Sequence, residues 1–166
     1  AAAHSNLGLT LQEMGRLHQA ETSFKRAIEL KPEYALAYSN LGITQQELGK
    51  LVEAEVSYTQ AIALEPDYAE AHGNLGVTLQ ELGRLEEAEA SYKQAIVLKP
   101  DYAEAHTNLG ATLKELGRLY EAEASYRRSI VLEPDYAEAH SNLGVTLQEL
   151  GRLKEAEASY KQAIAL

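Results

Sequence analysis

Apolar and polar positions follow a pattern along this chain that returns every 34 residues. In the stretch from Ala69 to Tyr102, apolar residues fall at Ala71, Leu75, Leu79 and Leu82, spaced 4, 4 and 3. That is the stripe of an amphipathic helix, here called helix A of its unit. A second stripe, helix B, runs through Leu85, Ala88, Tyr92, Ala95, Ile96 and Leu98. Gly83 stands between the two, where a left-handed residue closes the first helix, and Pro100 ends the second because it lacks an amide donor and clashes with the preceding turn. Two helices of about 13 residues joined by about three residues run antiparallel, and helices that short are marginal alone in water. Stacking against neighbouring units has to stabilise them.

The whole pattern repeats. Prolines recur at Pro32, Pro66, Pro100 and Pro134, and the glycines of helix A at Gly8, Gly42, Gly76, Gly110 and Gly144. Five registers agree: 1–34, 35–68, 69–102, 103–136 and a shortened 137–166. A period of this length marks a stacked solenoid, so residues 1–166 read as a single array whose function lies on the surface that stacking creates. The column His72-x2-Leu75-Gly76-x2-Leu79, followed by Ala88-x3-Tyr92, Ala95 and Pro100, resembles the tetratricopeptide repeat, with His in place of the family's Trp and Leu in place of its Tyr. The resemblance covers the whole chain. It implies an all-α, right-handed superhelical solenoid of antiparallel helix pairs, with helices A lining a concave groove and helices B forming the back, and a non-catalytic scaffold that binds proteins or peptides.

Several residues read as structural. Gly76, Ala88 and Ala95 let backbones approach while Tyr92 fills the space between, so bulk at the glycine forces helices apart. Asp101 is placed to cap the following helix. Glu89 with Lys93, Glu123 with Arg127 and Glu157 with Lys161 form i,i+4 pairs on a solvated face, worth about 0.3 kcal/mol each. Tyr34, Tyr68, Tyr102 and Tyr136 pack over the seams between units.

The groove columns carry the candidate chemistry. Asn6, Asn40, Asn74, Asn108 and Asn142 recur in mid-helix, where asparagine is less favourable than alanine by roughly 0.6 kcal/mol. An amide can donate to a peptide carbonyl and accept from a peptide amide, so a column of them can hold an extended chain by its backbone. The column is similar to the asparagine ladders of O-linked N-acetylglucosamine transferases. Copying could also have spread a neutral residue: units 69–102 and 137–166 differ at only three shared positions, Gly73/Ser141, Glu86/Lys154 and Val97/Ala165, although the more divergent unit 35–68 keeps Asn40. Glu13, Glu47, Glu81, Glu115 and Glu149 add an acidic column, and Glu70, Glu104 and Glu138 a second with helix capping as its simpler role.

Composition narrows the partners. A net charge of −10 argues against nucleic acid and for a basic or neutral peptide. With no cysteine, thiolate chemistry and disulfides are excluded, which fits a cytoplasmic setting. No apolar run approaches the ~20 residues of a membrane span. No cofactor motif or catalytic constellation is present. His4, His72, His106 and His140 lie one repeat apart, too far for one metal ion, and read as half-buried contacts between helices. Leu153, Tyr160 and Ile164 of the last helix form a stripe open to end-to-end self-association. Two alternatives accompany the scaffold reading: a substrate-recruiting segment of a larger enzyme such as a glycosyltransferase, and a self-assembling structural repeat protein.

Overall fold

The computed structural model describes residues 1–166 as ten α-helices in two compact units, residues 1–83 and 84–166. Unit 1 holds α1 (Ala2–Glu13), α2 (Leu17–Leu30), α3 (Ala35–Glu47), α4 (Leu51–Leu64) and α5 (Ala69–Glu81). Unit 2 holds α6 (Leu85–Leu98), α7 (Ala103–Glu115), α8 (Leu119–Leu132), α9 (Ala137–Glu149) and α10 (Leu153–Ala165). Odd-numbered helices are the helices A of the repeat and even-numbered ones the helices B. Within each unit every helix packs on the next in sequence, and successive helices A also touch, α1 on α3 on α5 and α7 on α9.

The punctuation acts as the sequence predicts. Gly83 follows α5 with φ +75°, a left-handed conformation that lets its amide reach back to the Gln80 carbonyl at 2.9 Å. Lys99, ahead of Pro100, is extended at φ −134° and ψ 87°, because the proline ring bars the helical conformation from the residue before it. The expected cap differs. Tyr102, not Asp101, precedes the first residue of α7, and no side chain caps that helix.

The core consists of small and aromatic residues in alternation. Ala20, Ala54, Ala88 and Ala122 are fully buried, as are Phe24, Tyr58 and Tyr92, with Tyr126 nearly so. Helix A contributes Gly42 and Gly110, where no Cβ intervenes between its backbone and the Tyr58 or Tyr126 ring. The threonine one turn after each asparagine is fully buried from the second repeat onward, at Thr44, Thr78, Thr112 and Thr146. Each of their hydroxyls donates to the asparagine main-chain carbonyl four residues back, at 2.9 to 3.1 Å. A polar side chain is thereby satisfied inside the interface.

Candidate functional site

On the helices A from α5 onward the faces separate cleanly. In α7, Ala103, Ala105, Thr107, Leu109, Gly110, Thr112 and Leu113 are buried, which leaves Glu104, Asn108, Ala111 and Glu115 as a line spaced 4, 3 and 4 along the opposite side. The same line on α9 is Glu138, Asn142, Val145 and Glu149; on α5 it is Glu70, Asn74, Val77 and Glu81; on α3 it is Leu36, Asn40, Ile43 and Glu47. From α5 onward, one acidic, one amide, one apolar and one acidic residue therefore recur along the helix, and α3 departs only in its first member.

The asparagines differ in exposure. Asn6 is exposed and Asn74, Asn108 and Asn142 are half-buried, whereas Asn40 is only 8% exposed. Its Nδ2 is buried and has no hydrogen-bond partner. Throughout the column the main-chain carbonyl is engaged by the threonine hydroxyl while the side-chain amide forms no bond within the protein. An unpaired buried donor costs about 1 to 3 kcal/mol, so Asn40 is held at a standing penalty.

The acidic column is tied to its neighbours. Gln12 Nε2 donates to Glu47 Oε1 at 3.0 Å and Gln46 Nε2 to Glu81 Oε1 at 3.1 Å. In unit 2, Lys114 replaces the glutamine of the other repeats and lies 3.6 Å from Glu149. At Glu47 and Glu81 a neutral amide thus orients the carboxylate and leaves its charge in place. The tyrosines beneath respond. Burial pushes the Tyr58 phenol above its ordinary pKa, and Glu47 and Glu81 push it further. Burial does the same to Tyr126, with Glu138, Glu115 and Glu149 adding to it. The carboxylates thus act electrostatically on one face in each unit.

The sequence did not single out the apolar member of the line, Leu9, Ile43, Val77, Ala111 and Val145. Its signal is a fixed offset of three residues after each asparagine, hidden because the larger stripe on the opposite face dominates the periodicity. The histidines hold no metal geometry: Nε2 of His72, His106 and His140 lies 3.2, 3.4 and 2.9 Å from the carbonyl of Pro66, Pro100 and Pro134, pinning each loop to the next helix. The seam tyrosines are half-buried, and Lys31 and Lys99 sit over the Tyr34 and Tyr102 rings at 5.1 and 4.9 Å.

A family model described as tetratricopeptide repeat matches residues 1–66 and 101–166, well over half of the chain. This chain belongs to the tetratricopeptide repeat family. Two further models of the family match residues 57–90 and 79–117. No curated protein matches the chain. Among solved structures, it is similar to TTC0263, a thermophilic TPR protein of Thermus thermophilus, at 31% identity and a TM-score of 0.77, covering 99% of this chain and 90% of that one. MamA superposes with a TM-score of 0.88 at 24% identity over 95% and 92% of the two chains. YrrB, described as a TPR protein with an unusual peptide-binding site, superposes at 0.79 with 24% identity over 98% and 84%. The helix-pair fold of this tetratricopeptide repeat protein is that of a protein-interaction scaffold, and none of its helices is long and apolar enough to cross a membrane.

Proposed function

We propose that this tetratricopeptide repeat protein is a non-catalytic scaffold that holds an extended, basic or neutral peptide along the exposed face of its helices A. The observation that carries this reading is the unspent amide column: Asn6, Asn74, Asn108 and Asn142 leave their side-chain donors and acceptors free of the protein itself and open to a ligand, at a position where alanine would make a better helix, whereas the buried Nδ2 of Asn40 is out of a ligand's reach. A peptide backbone offers both partners such an amide requires. The apolar column beside it, including Ile43 and Val77, gives alternate ligand side chains somewhere to rest, and the Glu13, Glu47, Glu81, Glu115 and Glu149 column favours Lys or Arg in the ligand. In this reading all five repeats form one array, and YrrB, with its described peptide-binding site, is a relative in use as well as in fold.

The test is the double substitution Asn108→Ala with Asn142→Ala, assayed with a fluorescein-labelled peptide of four Gly-Lys-Ala triplets. Each lost hydrogen bond is worth about 1 kcal/mol, so the affinity falls about tenfold or more. Thermal stability stays level or rises, since alanine is the better helix former. Unchanged affinity removes the ladder from the binding mechanism.

A second reading has its own observation. On α10, Leu153 is 64% and Ile164 84% exposed beside the half-buried Tyr160, around a hollow of about 390 Å3. Association through this stripe predicts a scattering mass that rises with concentration and is reduced by Ile164→Lys.

A further inference from the structure

The helices B of unit 2 carry a surface that the peptide reading leaves unused. Because α7 lies between α6 and α8, and α9 between α8 and α10, each pair of successive helices B is separated by a furrow floored by a helix A. Two hollows open there. The first, of about 440 Å3, is lined by Ile96 and Val97 of α6, His106 and Leu109 of α7, and Ala124 and Arg128 of α8. The second, of about 410 Å3, repeats it 34 residues later with Ile130, Val131, His140, Leu143 and Ala158. Val97 and Val131 stand at their rims, 71% and 68% exposed, where the other repeats carry Glu29, Ala63 and Ala165. Exposed aliphatic groups beside an apolar hollow offer a partner's side chains apolar surface to cover.

Charge says what fits. From Ala90 to Leu98, from Ala124 to Leu132 and from Ala158 to Leu166 there is no acidic side chain at all. The cations on these stretches are mostly answered from outside them: Lys93 by Glu89, Arg127 by Glu123 and Glu155, Lys161 by Glu157. Arg128 is the exception. It is exposed, lines the first hollow and pairs with no carboxylate, while Gln94 and Gln162 hold its position in the flanking repeats. His106, which lines the same hollow, donates from its half-buried ring to the Pro100 carbonyl. Burial holds the His106 pKa below its ordinary value, and the positive field of Arg128 adds to that lowering. The hollow therefore combines aliphatic walls with one uncompensated guanidinium, which gains most from a carboxylate through charge-assisted, bidentate bonds.

We propose that the helix-B face of unit 2 is a second docking surface, for an acidic peptide segment whose aliphatic side chains enter the two hollows while a carboxylate pairs with Arg128. Its charge preference is opposite to that of the helix-A face, so the protein presents two surfaces able to take different partners. This inference does not depend on the asparagine column.

The probe is a fluorescein-labelled peptide of four Leu-Glu-Glu triplets, with four Leu-Lys-Lys triplets as control, titrated into the full chain. Arg128→Glu and the pair Val97→Ser with Val131→Ser alter exposed side chains only, and far-UV circular dichroism checks that both fold. The acidic peptide is expected to bind, to lose at least tenfold in affinity with either variant, and to bind Asn108→Ala/Asn142→Ala unchanged. In a proton NMR titration, a carboxylate delivered to Arg128 is expected to move the His106 midpoint to higher pH. The proposal is overturned by no binding, by binding that Arg128→Glu leaves intact, or by loss with the asparagine pair instead, which puts the peptide on the other face. It is equally overturned if Arg128→Glu leaves peptide binding alone but lowers the scattering mass, which makes a second copy the occupant, or abolishes only co-sedimentation with phosphatidylserine vesicles, which makes it a lipid surface.

Discussion

A Cβ placed on Gly110 would lie 2.7 Å from Cε1 and 2.9 Å from Cδ1 of Tyr126, a ring that is 1% exposed and has nowhere to turn. Glycine costs a helix up to about 1 kcal/mol relative to alanine, and here the tyrosine reclaims that cost by lying flat against the bare backbone. Gly110→Ala is expected to destabilise the protein by about 1 to 3 kcal/mol despite its better helix propensity, read as a lower urea midpoint. A neutral or stabilising result would mean that the ring relaxes. The column itself was legible in the sequence, since a glycine kept in mid-helix at a fixed beat must permit a close approach. The asparagines were legible in the same way, as a recurring local disadvantage. Their unequal depth was not: Asn40 is buried while Asn6 is exposed, and only the neighbours brought in by packing make that difference.

Between helices, the i,i+4 ion pairs have a larger part than the sequence assigned them. Glu157 with Lys161 is solvated as read, but the pairs at Glu89 and Glu123 prove to be half of a clamp in which a buried carboxylate on helix B takes a second cation from the turn of the next repeat, an arrangement Glu21 shares. Glu21 binds Lys25 and Lys50, both at 2.8 Å; Glu89 binds Lys93 at 2.6 Å and Arg118 at 2.7 Å; Glu123 binds Arg127 at 2.8 Å and Arg152 at 2.6 Å. The second partner stands 29 residues from the carboxylate, so no helical spacing could reveal it. For Glu89, the bond to Lys93 is the largest influence and holds its pKa below the ordinary value, with burial opposing and Arg118 reinforcing it. For Glu21, burial pulls upward but the two lysines together prevail, again leaving it lowered. A carboxylate with a depressed folded-state pKa contributes stability in full above its unfolded value and loses it as pH falls through the folded one. The urea midpoint is therefore expected to begin to decline near the unfolded value of 4.5 and to keep falling below it. Glu89→Gln lowers the midpoint at neutral pH and makes the acid decline shallower; an unaltered pH profile in that variant would remove the clamp from the account.

On the scale of the whole molecule, a net charge of −10 and an acidic residue recurring in each helix-A line govern association at a distance. Screening shortens that reach from about 30 Å at 0.01 M salt to about 10 Å at 0.1 M. The association rate of the Gly-Lys-Ala peptide is expected to fall several-fold between those conditions, while its dissociation rate, set by amide bonds and apolar contact, changes little. A rate insensitive to salt would show that the carboxylates serve solubility alone. The repeat count, the fold class and the family were all readable at this scale, because five concordant registers leave little freedom in how helix pairs can stack.

The sequence alone determined what depends on local, periodic chemistry: where helices begin and stop, which stripe is buried, and which columns recur. The tertiary structure decided what depends on residues distant in the chain. It brought Lys50, Arg118 and Arg152 to carboxylates of the preceding repeat, left the asparagine amides without a partner inside the protein, and opened hollows between successive helices B beside an unanswered Arg128. The reason is physical: a helical period fixes neighbours three and four residues apart, whereas burial and charge balance are settled only when separate helices meet.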